Sequence, residues 1–263
     1  MLRFGRGIFG PSQLLVMAVV SPGDPAAAIE RLHEAVAEGA DIVEIGGGWA
    51  VPFIATVRDA YPELVVGVST GRPEVAREAC AAGADLLSGS GLWLAEMAAS
   101  AGVGVVCPAG VAGRAVEAGV EPERIVVSPE SPRQLSDLVA AGWPVLISLP
   151  GRDLAGGLAT AAVGAWLGAR VFRVDHVLQT RRALRMAAAI RGDIPPAYAV
   201  RGLALSVAFR PTADRVPADG RLRSGAAHHV PVGGRLLTMS IKSDCAARSR
   251  WTCRAIVPDR PAA

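Results

Sequence analysis

Apolar residues along the first 191 positions recur in one order: an alanine-rich stretch with helical spacing, a glycine, then a short unbroken apolar run. The segment Ala35-Val36-Ala37-Glu38-Gly39-Ala40-Asp41-Ile42-Val43-Glu44-Ile45-Gly46 shows it whole: a helix end, a glycine where positive φ is needed, and a buried strand closing on another glycine. The order returns over 82–89, 101–106, 141–148 and 167–174. Helix, glycine and buried strand in repetition are what a parallel sheet with crossover helices requires. The pattern predicts strands over 14–20, 42–45, 64–68, 85–88, 103–107, 125–128, 145–149 and 171–175. Each is followed by a predicted helix, over 25–38, 52–60, 73–82, 92–101, 111–118, 131–141, 154–167 and 177–190. Pro25 fits a first helical turn, and Ser131 reads as a cap. Eight β/α units with short connections favour a closed (β/α)8 TIM barrel over an open doubly wound sheet, because closure leaves no edge strand.

The pattern stops after Arg191. Gly192-Asp193-Ile194-Pro195-Pro196 breaks the helix, and the rest of the chain has scattered prolines and no sustained period. This predicts two parts: a barrel over 1–191, and an irregular, largely disordered tail over 192–263 with a weak hairpin at most, at 233–241. Composition adds exclusions. The net charge is +3, charged residues are 19% of the chain, and Lys242 is the sole lysine, so no basic stripe of the kind nucleic acid requires is expected. The sequence has no signal-peptide pattern and no apolar run long enough to span a bilayer, which predicts a cytoplasmic protein without a membrane partner. Cys80, Cys107, Cys245 and Cys253 have no metal-ligand spacing and read as small apolar residues.

In a β/α barrel the residues that meet a ligand stand at the C-terminal ends of strands and in the loops after them. Here those positions hold Ser21, Asp24, Glu44, Ser69, Thr70, Ser88, Cys107, Ser128, Glu130, Arg152, Arg173, Asp175 and His176, a rim rich in serine. Arg152 and Arg173 follow or lie on the last two strands, where barrels commonly hold phosphate, and their guanidinium forks suit a diphosphate. The alternative is that Arg173 pairs with Asp175 or Glu44 and braces the mouth. His176 reads either as a donor to the same anion or as a helix cap, and Glu44 as a lone acid or an ion-pair member. Gly46-Gly47-Gly48 permits close approach of a phosphate or a sharp bend, and Trp49 suits ligand cover or plain packing.

These rim positions, taken with Glu38-Gly39-Ala40-Asp41-Ile42-Val43-Glu44-Ile45-Gly46-Gly47, Gly119-Val120-Glu121-Pro122-Glu123-Arg124-Ile125 and Gly168-Ala169-Arg170-Val171-Phe172-Arg173-Val174-Asp175-His176, resemble dihydropteroate synthase, the pterin-binding barrel of folate synthesis. The likeness runs from Met17 to Arg191 and is greatest to divergent second copies in actinobacteria. It implies a cytoplasmic, dimeric transferase that joins a pterin diphosphate to p-aminobenzoate with magnesium. It also implies ligand contacts at Glu44, Ser69, Ser88, Ser128, Arg152, Arg173, Asp175 and His176, and cofactor contacts at Ser21 and Asp24. The family's pattern is altered at several of these places. Ser69, Ser88-Gly89 and Ser128 stand where the family has aspartate, asparagine-aspartate and aspartate, and the final histidine-aspartate is exchanged to Asp175-His176. A serine offers one hydroxyl where a carboxylate accepts two parallel bonds from a pterin edge, which implies weak or no standard activity. The expectation is therefore a divergent member of this family, either a transferase of weak standard activity or a pseudoenzyme without it, that binds a phosphorylated or pterin-like small molecule. The alternatives are a non-catalytic scaffold or regulator, and a barrel enzyme acting on another phosphorylated ligand.

Overall fold

A computed structural model of the chain describes residues 1–20, 24–46, 50–149, 151 and 153–195, and two strands at 228–232 and 235–239. The chain divides into two compact units, residues 1–207 and 208–263. The first begins with two short strands, β1 (Leu2–Phe4) and β2 (Gly7–Phe9), paired antiparallel. After them come β3 (Leu15–Val20), α1 (Pro25–Ala37), β4 (Ile42–Gly46), α2 (Ala50–Ala60), β5 (Val65–Ser69), α3 (Pro73–Ala81), β6 (Leu86–Ser88) and α4 (Trp93–Ala101). The series continues with β7 (Gly104–Pro108), α5 (Ala109–Glu117), a single 3-10 turn at Pro122–Arg124, β8 (Ile125–Ser128) and α6 (Gln134–Ala140). It ends with β9 (Leu146–Ser148), α7 (Leu154–Trp166), β10 (Val171–Val174) and α8 (Val177–Arg191). In the second unit, β11 (His228–Val232) pairs antiparallel with β12 (Arg235–Met239). The rest of the tail expected over 192–263 lies, beyond Pro195, outside the described residues.

The strands β3 to β10 form one parallel sheet in the order β8-β7-β6-β5-β4-β3-β10-β9. A bridge between Val127 and Val145 joins its two ends, with the Val127 amide donating to the Pro144 carbonyl at 2.8 Å, so the sheet closes into a barrel. The helices lie outside. Because strand side chains alternate, each strand feeds two cores. Val43 and Ile45 on β4 and Phe172 and Val174 on β10 face outward, toward Leu32, Ile54 and Leu184 of the helices. Ile42, Leu86, Val126, Leu146 and Val171 face the axis and fill the barrel.

The axial core is completed from outside the barrel. Leu2 and Phe4 of β1, with Phe9 of β2, pack onto the axial residues and plug the end from which the strands start. Leu2 and Phe4 are fully buried, and each such side chain contributes about 1.5–3 kcal/mol of burial. Gly104 makes room for the plug, since a Cβ there would fall 2.6 Å from a Phe4 ring carbon and 2.9 Å from Leu86. The sequence pattern contains no expectation of this hairpin.

The repeated Gly-Ala-Asp belongs to the same end. Gly83 (φ +100°) turns the chain from α3 into β6, a conformation that other residues rarely adopt. The aspartate two positions later, Asp85, accepts from the Val66 amide of the neighbouring strand at 3.0 Å and from Arg6 at 2.8 Å, and it pairs with Arg58. Asp41 repeats the arrangement two units earlier, accepting from the Val16 amide at 2.8 Å and pairing with Arg181. Elsewhere the expected elements are displaced by a residue or two. The exception is the helix expected from 131, which begins at Gln134 with Arg133 as its N-cap; Ser131 instead accepts, through its carbonyl, from the Gln134 amide.

Candidate functional site at the barrel mouth

The alternation that packs the axis also builds the mouth. Two residues beyond an axial apolar side chain, the next side chain on the same face emerges at the open end. Ile42 is thus followed by Glu44, Leu86 by Ser88, Val126 by Ser128, Leu146 by Ser148 and Val171 by Arg173. These five residues, with Ser69 of β5 and Ser90 after β6, line a cavity of about 270 Å³ whose apolar wall includes Val106, Cys107 and Leu146. The structure brings together Glu44, Ser69, Ser88, Ser128 and Arg173 from the sequence-based candidates, and adds Ser90 and Ser148. Ser148 carries a readable signal, because it shares its strand face with Leu146.

Glu44 and Arg173 carry the charge in this lining. They stand on β4 and β10, the two neighbours of β3, and Arg173 Nη2 reaches across to within 2.6 Å of Glu44 Oε2. Glu44 is only 1% exposed, and Arg173 side-chain exposure is 34%. Burial pushes the Glu44 carboxyl above its ordinary pKa, opposed by the Arg173 charge and, less strongly, by the Ser88 hydroxyl. The contact is close but poorly aimed. Glu44 Oε2 is buried without a directed hydrogen bond, and so is Ser88 Oγ. Two polar atoms of one cavity thus lack directed partners among the described residues, whereas most buried polar atoms have one. Cys107 contributes no nucleophile, since burial raises its thiol to about 11 and leaves it protonated at neutral pH.

Other candidates lie elsewhere. Asp175 and His176 line a separate, much smaller hollow with Gly151 and Thr180, and His176 Nε2 is 3.1 Å from the Gly151 carbonyl. His176 is the N-cap residue of α8, although its ring makes no capping bond. Asp24 caps α1 by accepting from the Ala27 amide at 3.3 Å. Ser21, Gly47, Gly48, Trp49 and Arg152 lie outside the described residues; of the two arginines read from the sequence as a clamp only Arg173 is described, and it pairs with Glu44 as the alternative reading has it. Among the described residues no group of three His, Cys, Asp or Glu side chains converges to hold a metal. Nor, among them, is any helix long and apolar enough to cross a membrane.

No family model matches the chain. Relatives are nevertheless clear. The protein named Inactive dihydropteroate synthase 2 in Mycobacterium tuberculosis is 34% identical over 288 residues, spanning 76% of this chain and 90% of that protein. Its counterpart in Mycobacterium leprae is 36% identical over 255 residues, spanning 68% and 87%. The solved structure of Mycobacterium tuberculosis Rv1207 superposes with a TM-score of 0.67 at 39% identity, covering 73% of this chain and 98% of that one. A dihydropteroate synthase from Coxiella burnetii in complex with pteroic acid shares the fold, with a TM-score of 0.65 at 23% identity over 73% and 99%. With the sequence likeness extending across most of these relatives, the chain belongs to the dihydropteroate synthase family.

Proposed function

We propose that this chain is a pseudoenzyme of the family: a barrel that binds a small polar ligand at its mouth and does not turn over pterin diphosphate and p-aminobenzoate at enzyme rates. The observation that carries the reading is the cavity lining. Ser69, Ser88 and Ser128 face the space where a pterin edge would need carboxylates, and the carboxyl that does reach it, Glu44, is taken by Arg173. Each ring donor left without a partner costs about 1–3 kcal/mol. Three such losses reach the roughly 4 kcal/mol that separates micromolar from millimolar binding. The name carried by the mycobacterial relatives, Inactive dihydropteroate synthase 2, agrees. Magnesium, which the family resemblance implies, finds little to hold it among the described residues: Glu44 lies against a guanidinium, and a hard dication requires several free oxygen ligands. The test is product formation from the pterin diphosphate and p-aminobenzoate with magnesium present; no turnover is expected, and turnover at ordinary enzyme rates would overturn the reading.

A non-catalytic role as an assembled partner is favoured by a second observation. The 13-residue helix α7, Leu-Ala-Gly-Gly-Leu-Ala-Thr-Ala-Ala-Val-Gly-Ala-Trp, contains no charged side chain, yet it lies on the surface. Val163, Trp166 and the next residue, Leu167, are exposed, Trp166 by 61%, and so are Met186 and Ile190 on α8. Arg191 of α8 donates to the Ala165 carbonyl, which draws the ends of the two helices together. Exposed large apolar side chains on two packed helices are what an association face would use. A homodimer formed through α7 and α8 is the assembly that fits it.

A further inference from the structure

Glu44 is a group for which a pterin pocket lined by serines has no use. It is almost fully buried, it sits on the cavity wall, and it faces the one guanidinium among the described lining residues. Arg173 is half engaged. Its Nη2 meets Glu44, while Nε and Nη1 form no ion pair or directed hydrogen bond among the described residues, and the side chain is exposed enough to receive a ligand. Around it the cavity offers hydroxyls on Ser88, Ser128 and Ser148, which donate to an oxyanion as readily as they accept from a neutral group.

Resting on the proposed role of the mouth as a binding site, we infer that Glu44 is its specificity-determining residue: it occupies Arg173, so an oxyanion enters the cavity only together with a proton that lands on the Glu44 carboxylate. The physical reason is like-charge repulsion in a poorly solvated space. An anion drawn to Arg173 would stand beside the buried carboxylate, which is already hard to ionise there, and protonation removes the repulsion. Neutral ligands carry no such condition.

The charged and titratable surroundings of Glu44 are few among the described residues. The axial side chains of β3 and β5 that flank β4 are Met17 and Val19, and Val65 and Ser69, none of which titrates. Cys107 stays protonated below about 11. The Asp41–Arg181 and Asp85–Arg58 pairs sit at the strands' starting end. The proton comes from solvent and returns to it when the anion leaves.

Linkage fixes the sign. The occupied cavity binds one proton more than the empty cavity, so affinity falls as pH rises through the Glu44 pKa, by up to about tenfold per pH unit for one coupled proton. Sulfate is the suitable probe because it remains a dianion throughout. Calorimetric titration of the full chain with sulfate between about pH 5 and pH 8 should give that slope, together with proton uptake visible as a dependence of the heat on buffer ionisation. Glu44→Gln, which keeps size and removes the charge, should bind sulfate with no slope and more tightly than the parent at the upper pH. The double variant E44Q/R173Q, free of any stranded buried charge, should fold and bind none. A flat profile in the parent, an unchanged slope in E44Q, or no sulfate binding by either protein overturns the inference. Synthase turnover would defeat the pseudoenzyme reading separately, and would leave the sulfate slope as it stands.

Discussion

Removing the Asp85 carboxylate would strand Arg6 and Arg58 and free the Val66 amide, all at the closed end of the barrel. Because Asp85 and Arg58 are buried or nearly so, Asp85→Ala should lower stability by about 3 kcal/mol, read as a shifted urea midpoint with an unchanged slope. A loss below about 1 kcal/mol would show the pair to be as weak as an exposed one. The repeat that carries Asp85 is plain in the sequence, but its task is not. Its partner Arg6 lies 79 positions away, beside a hairpin that the sequence pattern does not announce. Arg173 is a contrasting case. The sequence offers Asp175 and Glu44 as partners, and strand register chooses between them: Glu44 and Arg173 lie on the two strands beside β3 and face the axis, whereas Asp175 comes after β10 and turns toward Gly151.

The β1–β2 hairpin acts as a plug whose worth can be measured. Phe4→Ala should cost about 3–5 kcal/mol, since it opens a void against Gly104 and Leu86 that neighbouring strands cannot close. Thermal unfolding followed by circular dichroism would read it, and a loss near zero would mean that the barrel holds without its plug. Strands and helices of the barrel are legible because apolar runs separated by glycine repeat along the chain. The hairpin is not, because strands of three residues hold too few alternations to stand out from a loop. The start of α6 escapes a sequence reading for a related reason. Ser131 is a good cap by type, but a turn through Pro132 and Arg133 follows it before the helix begins, and the cap position falls to Arg133.

At the scale of the whole molecule, the α7–α8 face should govern assembly. Trp166→Asp places a charge in the middle of the exposed apolar patch, and a parent dimer should become a monomer, as light scattering after gel filtration would show. A monomeric parent at micromolar concentration would refute the dimer. The candidate site, too, is legible only in part at this scale: strand ends, and hence the serines, can be read from the chain, but which of the rim residues share one cavity depends on barrel closure. Asp175 and His176 fall outside it for that reason.

The anchoring carboxylates Asp41 and Asp85 stand at one end of the strands and the serines at the other, with a packed apolar axis between them. A vessel riveted at its base can have its lip recut. Exchanges among Ser69, Ser88 and Ser128 leave the rivets untouched, so descent can trade one cargo for another here, or none, while the architecture persists.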